Sequence, residues 1–168
     1  MVIVGAPLLL LSKRVGQVLD AIPAGWLVGF QTYRVFGAAF LAGALRGTLP
    51  GLFGYPAGIG DALTGMFALP VAIAVATGTA EGRKTAILWN LFGLADLALA
   101  ITLGVITSPG PLQLVAANAP GVSASGYPMV LTPAFAVPSS ILLHLLSLRL
   151  LLRRGAQSTP KAPEGIAR

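Results

Sequence analysis

The chain contains no cysteine and very few charged residues. Of its 168 residues only 10% are charged and 55% are hydrophobic, whereas soluble domains carry roughly 25% charged residues. The lack of cysteine excludes disulfides, thiolate metal sites and cysteine nucleophiles. The lack of charge excludes a surface that faces water throughout. We therefore expect most of the surface to face lipid, with the bilayer as the main partner of the chain.

The positive net charge of +6 could indicate a nucleic-acid partner, but the positions of the basic residues argue against one. They lie at the ends of apolar runs, as expected for membrane proteins. No basic patch interleaved with aromatic side chains is present, and such a patch is the usual signature of nucleic-acid binding. We therefore expect no nucleic-acid partner.

Four apolar runs approach or exceed the roughly 20 residues that a helix needs to cross a bilayer. Because backbone groups in lipid must be hydrogen-bonded internally, each run is predicted to be a helix. The fold class is therefore all-α, a polytopic transmembrane helix bundle of four full spans plus a short N-terminal apolar stub. The predicted spans are residues 26–45, 60–78, 86–107 and 129–152.

The remaining segments complete a single transmembrane domain over residues 1–154. The stub, residues 2–11, is about half the length of a span, which favours an N-terminus truncated relative to a longer gene product, although a partly inserted segment would also fit. Residues 13–23 are predicted to form a short interfacial helix that ends at Pro23, although a plain loop would also fit. The polar, proline-containing residues 155–168 are predicted to form a flexible cytoplasmic tail.

The distribution of basic residues predicts the orientation. If all four spans cross, one side of the membrane carries only Arg46 in its loops, and Arg34 lies within a span. Basic residues concentrate on the cytoplasmic side, so the C-terminus is predicted to be cytoplasmic, in the plasma membrane (the bacterial inner membrane). The basic residues assigned to that side are Lys13, Arg14, Arg83, Lys84, Arg149, Arg153, Arg154, Lys161 and Arg168.

Arg34 is the most informative residue, because a guanidinium in an apolar span cannot lose its charge and needs a partner or water. At about 1.5 Å per residue, Arg34 lies roughly 12 Å from the cytoplasmic end of its span, and Asp96 lies roughly 15 Å from the same side. We therefore predict that Arg34 and Asp96 form an ion pair. A structural pair that fixes helix register and a working site both fit this pattern.

Other polar residues share the same part of the predicted bundle. Gln31 precedes Arg34 by one helical turn, while Asn90 and His144 lie on the third and fourth spans. Together with Arg34 and Asp96 they form the predicted polar cluster, although hydrogen bonding between helices would also explain them. Asp61 is predicted at the outer end of the second span, where it would cap the helix or face an outer vestibule.

No catalytic signature is present, so we expect no enzymatic activity, no metal site and no cofactor. The segment 121–125 resembles a nucleophile elbow but lacks its second glycine. The pattern Gly58-x-Gly60 lacks the third glycine of a dinucleotide-binding fingerprint. His144 could ligate haem only if a dimer supplied a second histidine, so an interhelical hydrogen bond is the preferred interpretation.

Several short stretches resemble a group of small bacterial multi-pass membrane proteins of unknown function. The resemblance implies a membrane bundle but no activity, and in that group a full helix would replace the short stub. It covers most of the four spans. The residues that carry it are Gln31-Thr32-Tyr33-Arg34, residues 56–61, Trp89-Asn90, Asp96-Leu97, Pro138 and His144.

Three functions remain open. In the first, the polar cluster translocates or senses a small solute or protons, which requires a homo-oligomer because four spans seldom enclose a pathway alone. In the second, the chain is a non-catalytic accessory or assembly subunit of a larger membrane complex. In the third, His144 binds haem or a quinone at a dimer interface.

Overall fold

The computed structural model describes residues 12–115 and 130–157, and within these ranges it contains helices and no strand. The predicted stub and most of the predicted tail lie outside the described residues. The helical elements in chain order are α1 (Lys13–Ala21), α2 (Ala24–Gly29), a 3₁₀ segment (Phe30–Gly37), α3 (Ala38–Leu45), α4 (Gly51–Ala76), α5 (Ala80–Thr107), a π segment (Thr132–Ala136) and α6 (Val137–Gln157).

Three of these helices are long and apolar enough to cross a membrane: α4, α5 and the helix Thr132–Gly155, which comprises the π segment and most of α6. In α4 and α5 only 33% of the most apolar 18-residue window is buried. Most of the apolar side chains on these helices therefore point outward. Such surfaces are unfavourable in water and mark sites of protein or membrane contact, so the fold supports association with a membrane.

The first predicted span, residues 26–45, is not one long helix, so the prediction of four full spans is not confirmed. It consists of α2, the 3₁₀ segment and α3 in direct succession. The 3₁₀ segment is rich in aromatic and β-branched residues, which have reduced helix propensity. In addition, Thr32 Oγ1 donates to the carbonyl of Gly29 at 2.7 Å, a bond that often bends helices.

The second predicted span begins earlier than expected. Helix α4 starts at Gly51, directly after its N-cap Pro50, whereas the sequence favoured a start at residue 60. The glycines in the first part of α4 let a neighbouring helix approach closely. An added Cβ on Gly54 would lie 2.9 Å from the Phe40 carbonyl, and one on Gly58 would overlap the Leu41 backbone. They therefore let α3 pack closely against α4.

Helix α4 lies at the centre of the bundle and contacts α2, the 3₁₀ segment, α3 and α5. The core joins small and large apolar residues: Ala24, Leu27, Val28, Ala68, Val71, Ala72, Ala86, Trp89, Leu150 and Leu151. Gly25 and Gly29, which form a Gly-x-x-x-Gly pattern, both pack against Ala72 of α4. This pattern therefore serves packing within the chain.

Candidate functional site

Arg34 lies on the 3₁₀ segment and is nearly inaccessible, with 3% of its surface exposed. Its guanidinium contacts one side chain from each of three long helices. Nη2 lies 2.5 Å from Asp96 Oδ2 on α5 and 2.6 Å from Asp61 Oδ1 on α4. Nη1 lies 3.1 Å from His144 Nε2 on α6. We call Arg34, Asp61, Asp96 and His144 the ionic cluster.

Four hydrogen bonds engage the three nitrogens of this guanidinium. Nε donates to Asp61 Oδ1 at 2.7 Å, and Nη2 donates to Asp96 Oδ2. Nη1 donates to the Gly93 carbonyl at 3.3 Å and to His144 Nε2. Because a buried charge without partners is very costly, these bonds and the close ion contact of Nη2 with Asp61 explain how the guanidinium is tolerated here.

The bond from Arg34 fixes the tautomer of His144. Arginine has only donors, so Nε2 must carry a lone pair and the imidazole is neutral, with its proton on Nδ1. Nδ1 then donates to Asn90 Oδ1 at 2.9 Å. Asn90 Nδ2 in turn donates to the Ala86 carbonyl at 2.7 Å and to Ser147 Oγ at 3.1 Å. One continuous network therefore joins the 3₁₀ segment to α5 and α6.

A second group of contacts ties the 3₁₀ segment to α6. Gln31 Nε2 donates to the Ser140 carbonyl at 3.0 Å, and Tyr33 donates to the Ala136 carbonyl at 3.1 Å. With the tyrosine proton in that bond, Ser140 Oγ donates to Tyr33 Oη at 2.5 Å. Gln31 Oε1 is buried and has no hydrogen-bond partner among the described residues. A buried acceptor of this kind costs about 1–3 kcal/mol.

The structure brings together all the residues of the predicted cluster. Arg34 and Asp96 are in direct contact, and His144, Asn90 and Gln31 are fully buried beside them. For Asp61, one of the two predicted roles is wrong. Asp61 does not cap α4, since Pro50 occupies that position, and it binds Arg34 instead; the other predicted role, at an outer vestibule, stays a prediction. The predicted pair of Arg34 and Asp96 therefore includes a second carboxylate.

Glycines make room for the cluster, which the sequence reasoning missed. An added Cβ on Gly60 would overlap the Asp96 carboxylate, one on Gly93 would overlap the His144 ring, and one on Gly65 would overlap the Val35 backbone. Their positions in the sequence could have indicated this role, because Gly60 adjoins Asp61 and Gly93 precedes Asp96 by one helical turn. Thr64 was not predicted either; its carbonyl accepts a hydrogen bond from Trp89 Nε1 at 3.2 Å.

The charges of the cluster do not balance. It contains two carboxylates, one guanidinium and a neutral imidazole, so it carries one surplus negative charge when both carboxylates are ionised. Arg34 binds only Oδ1 of Asp61 and only Oδ2 of Asp96. Among the described residues, the other oxygen of each carboxylate receives no hydrogen bond. The cluster therefore has the capacity to accept a proton or another cation.

A cavity of about 140 Å³ borders the cluster. Asp61 is the more accessible carboxylate, with 19% of its side chain exposed against 6% for Asp96, and it lines this cavity. The walls come from the 3₁₀ segment and α3–α6 together with the π segment. The lining residues are Tyr33, Arg34, Phe36, Gly37, Phe40, Asp61, Leu97, Thr132, Ala136, Val137 and Ser140.

The described residues do not form a metal centre. They contain no group of three or more His, Cys, Asp or Glu side chains that could hold a metal ion. Both ring nitrogens of His144 are engaged, with Arg34 and Asn90. Ligation of haem by His144 would therefore require the loss of one of these bonds.

Comparison with known proteins identifies the family but no activity. The model of a family described as a domain of unknown function (DUF8737) matches residues 2–152. No curated protein and no solved structure matches the chain. Because the match covers most of its length, the chain belongs to this family of unknown function.

Proposed function

We propose that this protein is a multi-pass integral membrane protein whose ionic cluster binds and releases a proton, and that it thereby senses or translocates protons or a small solute. The observation that carries the proposal is the presence of two carboxylates, one buried and one partly buried, on one guanidinium. Transfer of an ionised carboxylate into an apolar region is costly unless it is paired. Protonation of one carboxylate removes the surplus charge and leaves a neutral ion pair.

We propose that the chain spans the membrane four times, with α2, the 3₁₀ segment and α3 acting as the first span. These elements have 6, 8 and 8 residues. At about 1.5 Å per α-helical residue and about 2.0 Å per 3₁₀ residue, they extend roughly 37 Å. That length exceeds the roughly 30 Å of a hydrocarbon core. The 3₁₀ geometry thus lengthens a segment that would be only marginally long as an α-helix.

The same proposal includes the location and the oligomeric state. The basic residues before α2, in the first turns of α5, and in and after the C-terminal part of α6 would lie on the cytoplasmic side of the plasma membrane. The cavity beside Asp61 has a volume of only about 140 Å³ and is lined near the ends of the 3₁₀ segment and the π segment. A translocation pathway would therefore need further walls, from a homo-oligomer or a membrane-protein partner.

Infrared spectroscopy tests proton binding directly. The purified protein in lipid nanodiscs is titrated with acid, and the carbonyl stretch of a protonated carboxylic acid is recorded. We expect a band that is absent from the variant Asp61→Asn or Asp96→Asn but retained in Glu81→Gln, which alters an exposed carboxylate at the start of α5. A titration that shows no band dependent on either aspartate, while the protein stays folded, would refute the proposal.

Translocation and sensing are separated by a second measurement. Proteoliposomes that contain a pH-sensitive dye report proton flux under an imposed gradient. Flux that is lost in Asp61→Asn supports translocation. A titrating carboxylate without flux supports sensing.

A second candidate function is that of an accessory or assembly subunit. It is favoured by the four hydrogen bonds of Arg34, since a network that joins four helical elements also specifies how they pack. In that case the carboxylates would not titrate in the folded protein, and purification under native conditions would recover a stable partner protein. The haem or quinone hypothesis gains no support, because both nitrogens of His144 are already bound.

A further inference from the structure

We propose that the cavity beside Asp61 binds a small organic monocation, an ammonium compound no larger than tetramethylammonium. This inference rests on the proposed function, because the ligand would use the same surplus negative charge as the proton. It names the class of solute that the site would sense or translocate. The arguments come from the size of the cavity, its charge and the chemistry of its walls.

The size of the cavity limits the ligand. Its volume is about 140 Å³, and a protein cavity of about 150 Å³ accommodates a molecule the size of benzene. The cavity is therefore large enough for a tetraalkylammonium with short arms, whereas a nucleotide or a peptide would exceed this volume and project from its open side.

The charge of the site favours a cation. Asp61 Oδ1 accepts a hydrogen bond from Arg34 Nε, while Oδ2 receives no hydrogen bond among the described residues. Arg34 is the only cation among the lining residues, and both carboxylates already lie against its guanidinium. An anion would therefore meet a surplus negative charge and a cation that is already paired. A monocation would neutralise the cluster.

The walls suit an organic cation. Tyr33, Phe36 and Phe40 line the cavity on the side formed by the 3₁₀ segment and α3. Aromatic faces attract cations, more strongly where water is excluded. An inorganic divalent ion would instead require several oxygen ligands, and the described residues supply no group of three ionisable ligands.

The free carboxylate oxygen also suits a ligand that donates a hydrogen bond. Asp61 lines the cavity, and its Oδ2 is an acceptor with unused capacity. A primary ammonium compound would donate to this oxygen, and a quaternary one would rely on charge and the aromatic walls.

Isothermal titration calorimetry of the full chain in nanodiscs tests this proposal with tetramethylammonium as the probe and tert-butanol as the neutral compound of similar shape. We expect saturable binding of tetramethylammonium and none of tert-butanol. Asp61→Asn should weaken binding about tenfold or more, since two opposite charges at close range interact by several kcal/mol near a protein surface. Phe40→Leu keeps an apolar wall and should weaken binding roughly threefold.

The variant Glu81→Gln is the control for a remote loss of charge and should bind as the wild type does. Should Asp61→Asn fail to fold, Phe40→Leu and the comparison with tert-butanol decide the question. The proposal is overturned if tetramethylammonium does not bind saturably, if tert-butanol binds equally well, or if a folded Asp61→Asn variant keeps full affinity.

The two proposals can fail separately. If an aspartate titrates in the infrared experiment and tetramethylammonium does not bind, the inference about the ligand fails and proton binding stands. If no aspartate titrates and the probe does not bind, both proposals fail.

Discussion

Removal of the charge of Arg34 should destabilise the protein strongly, because it leaves two carboxylates in an apolar bundle without a cation. The substitution Arg34→Gln keeps a polar side chain of moderate length but eliminates the contacts to Asp61 and Asp96. Loss of one partner of a buried ion pair costs about 3–5 kcal/mol. We expect the lower part of this range, since 19% of the Asp61 side chain is exposed. A loss of about 3 kcal/mol lowers the ratio of folded to unfolded protein by roughly two orders of magnitude.

The measurement is reversible unfolding by sodium dodecyl sulfate in mixed micelles, followed by the fluorescence of Trp26 and Trp89. The matched control is Arg46→Gln, which removes an exposed arginine after α3 and should change stability by less than about 0.5 kcal/mol. A triple variant, Arg34→Gln with Asp61→Asn and Asp96→Asn, removes the charges together. It should recover most of the loss, because replacement of a whole buried ion cluster is often nearly neutral.

Two results would refute this reasoning. If Arg34→Gln is as stable as Arg46→Gln, the guanidinium is not a required counter-charge. If the triple variant is no more stable than Arg34→Gln, the loss came from packing or hydrogen bonding, and the surplus of negative charge has no energetic weight.

Two further predictions concern the scaffold. Gly65→Ala should destabilise the protein by about 1–3 kcal/mol in the same assay, because the added methyl group would overlap the backbone at Val35. The control Gly104→Ala should cost less, since the nearest atom there lies 3.5 Å away. Equal effects of the two substitutions would contradict the close approach at Gly65. Thr79→Ala should lower the free energy of unfolding by about 1 kcal/mol, because the Thr79 side chain accepts a hydrogen bond from the Gly82 N–H at 3.1 Å at the start of α5. Thr79→Ser should retain most of the stability. An equal loss in both variants would argue against capping.

The contact between Arg34 and Asp96 was predictable because it depends only on the charge of the two residues and on their depth in the spans. An arginine in an apolar run requires an acid at the same depth, and helix rise gives that depth from sequence position alone. Composition predicted the helices for a similar reason, since a chain with 10% charged residues and long apolar runs has few alternatives. These inferences use averages over many residues and tolerate errors of a few positions.

The role of Asp61 was not predictable in the same way, because it depends on where α4 begins. The segment before Asp61 contains Gly54, Pro56, Gly58 and Gly60, a composition typical of a turn. In the fold these glycines allow α3 and Asp96 to approach closely, so tertiary packing outweighs their low helix propensity. The 3₁₀ segment could not be predicted for a related reason. Its side chains form hydrogen bonds to α6, and contacts between segments distant in sequence leave no local sequence pattern.

The second carboxylate is the feature that argues against a purely structural role. A bundle that needed only a fixed register could achieve it with one acid opposite Arg34, as in a simple ion pair. Asp61 adds a second, partly buried acid, which has a desolvation cost of its own, and its contact to Arg34 is shared with Asp96. It is also the carboxylate that lines the cavity. A carboxylate that destabilises the fold and is accessible from a cavity is best explained by a role in binding. Asp61, and not Arg34, is therefore the residue on which the function should be tested.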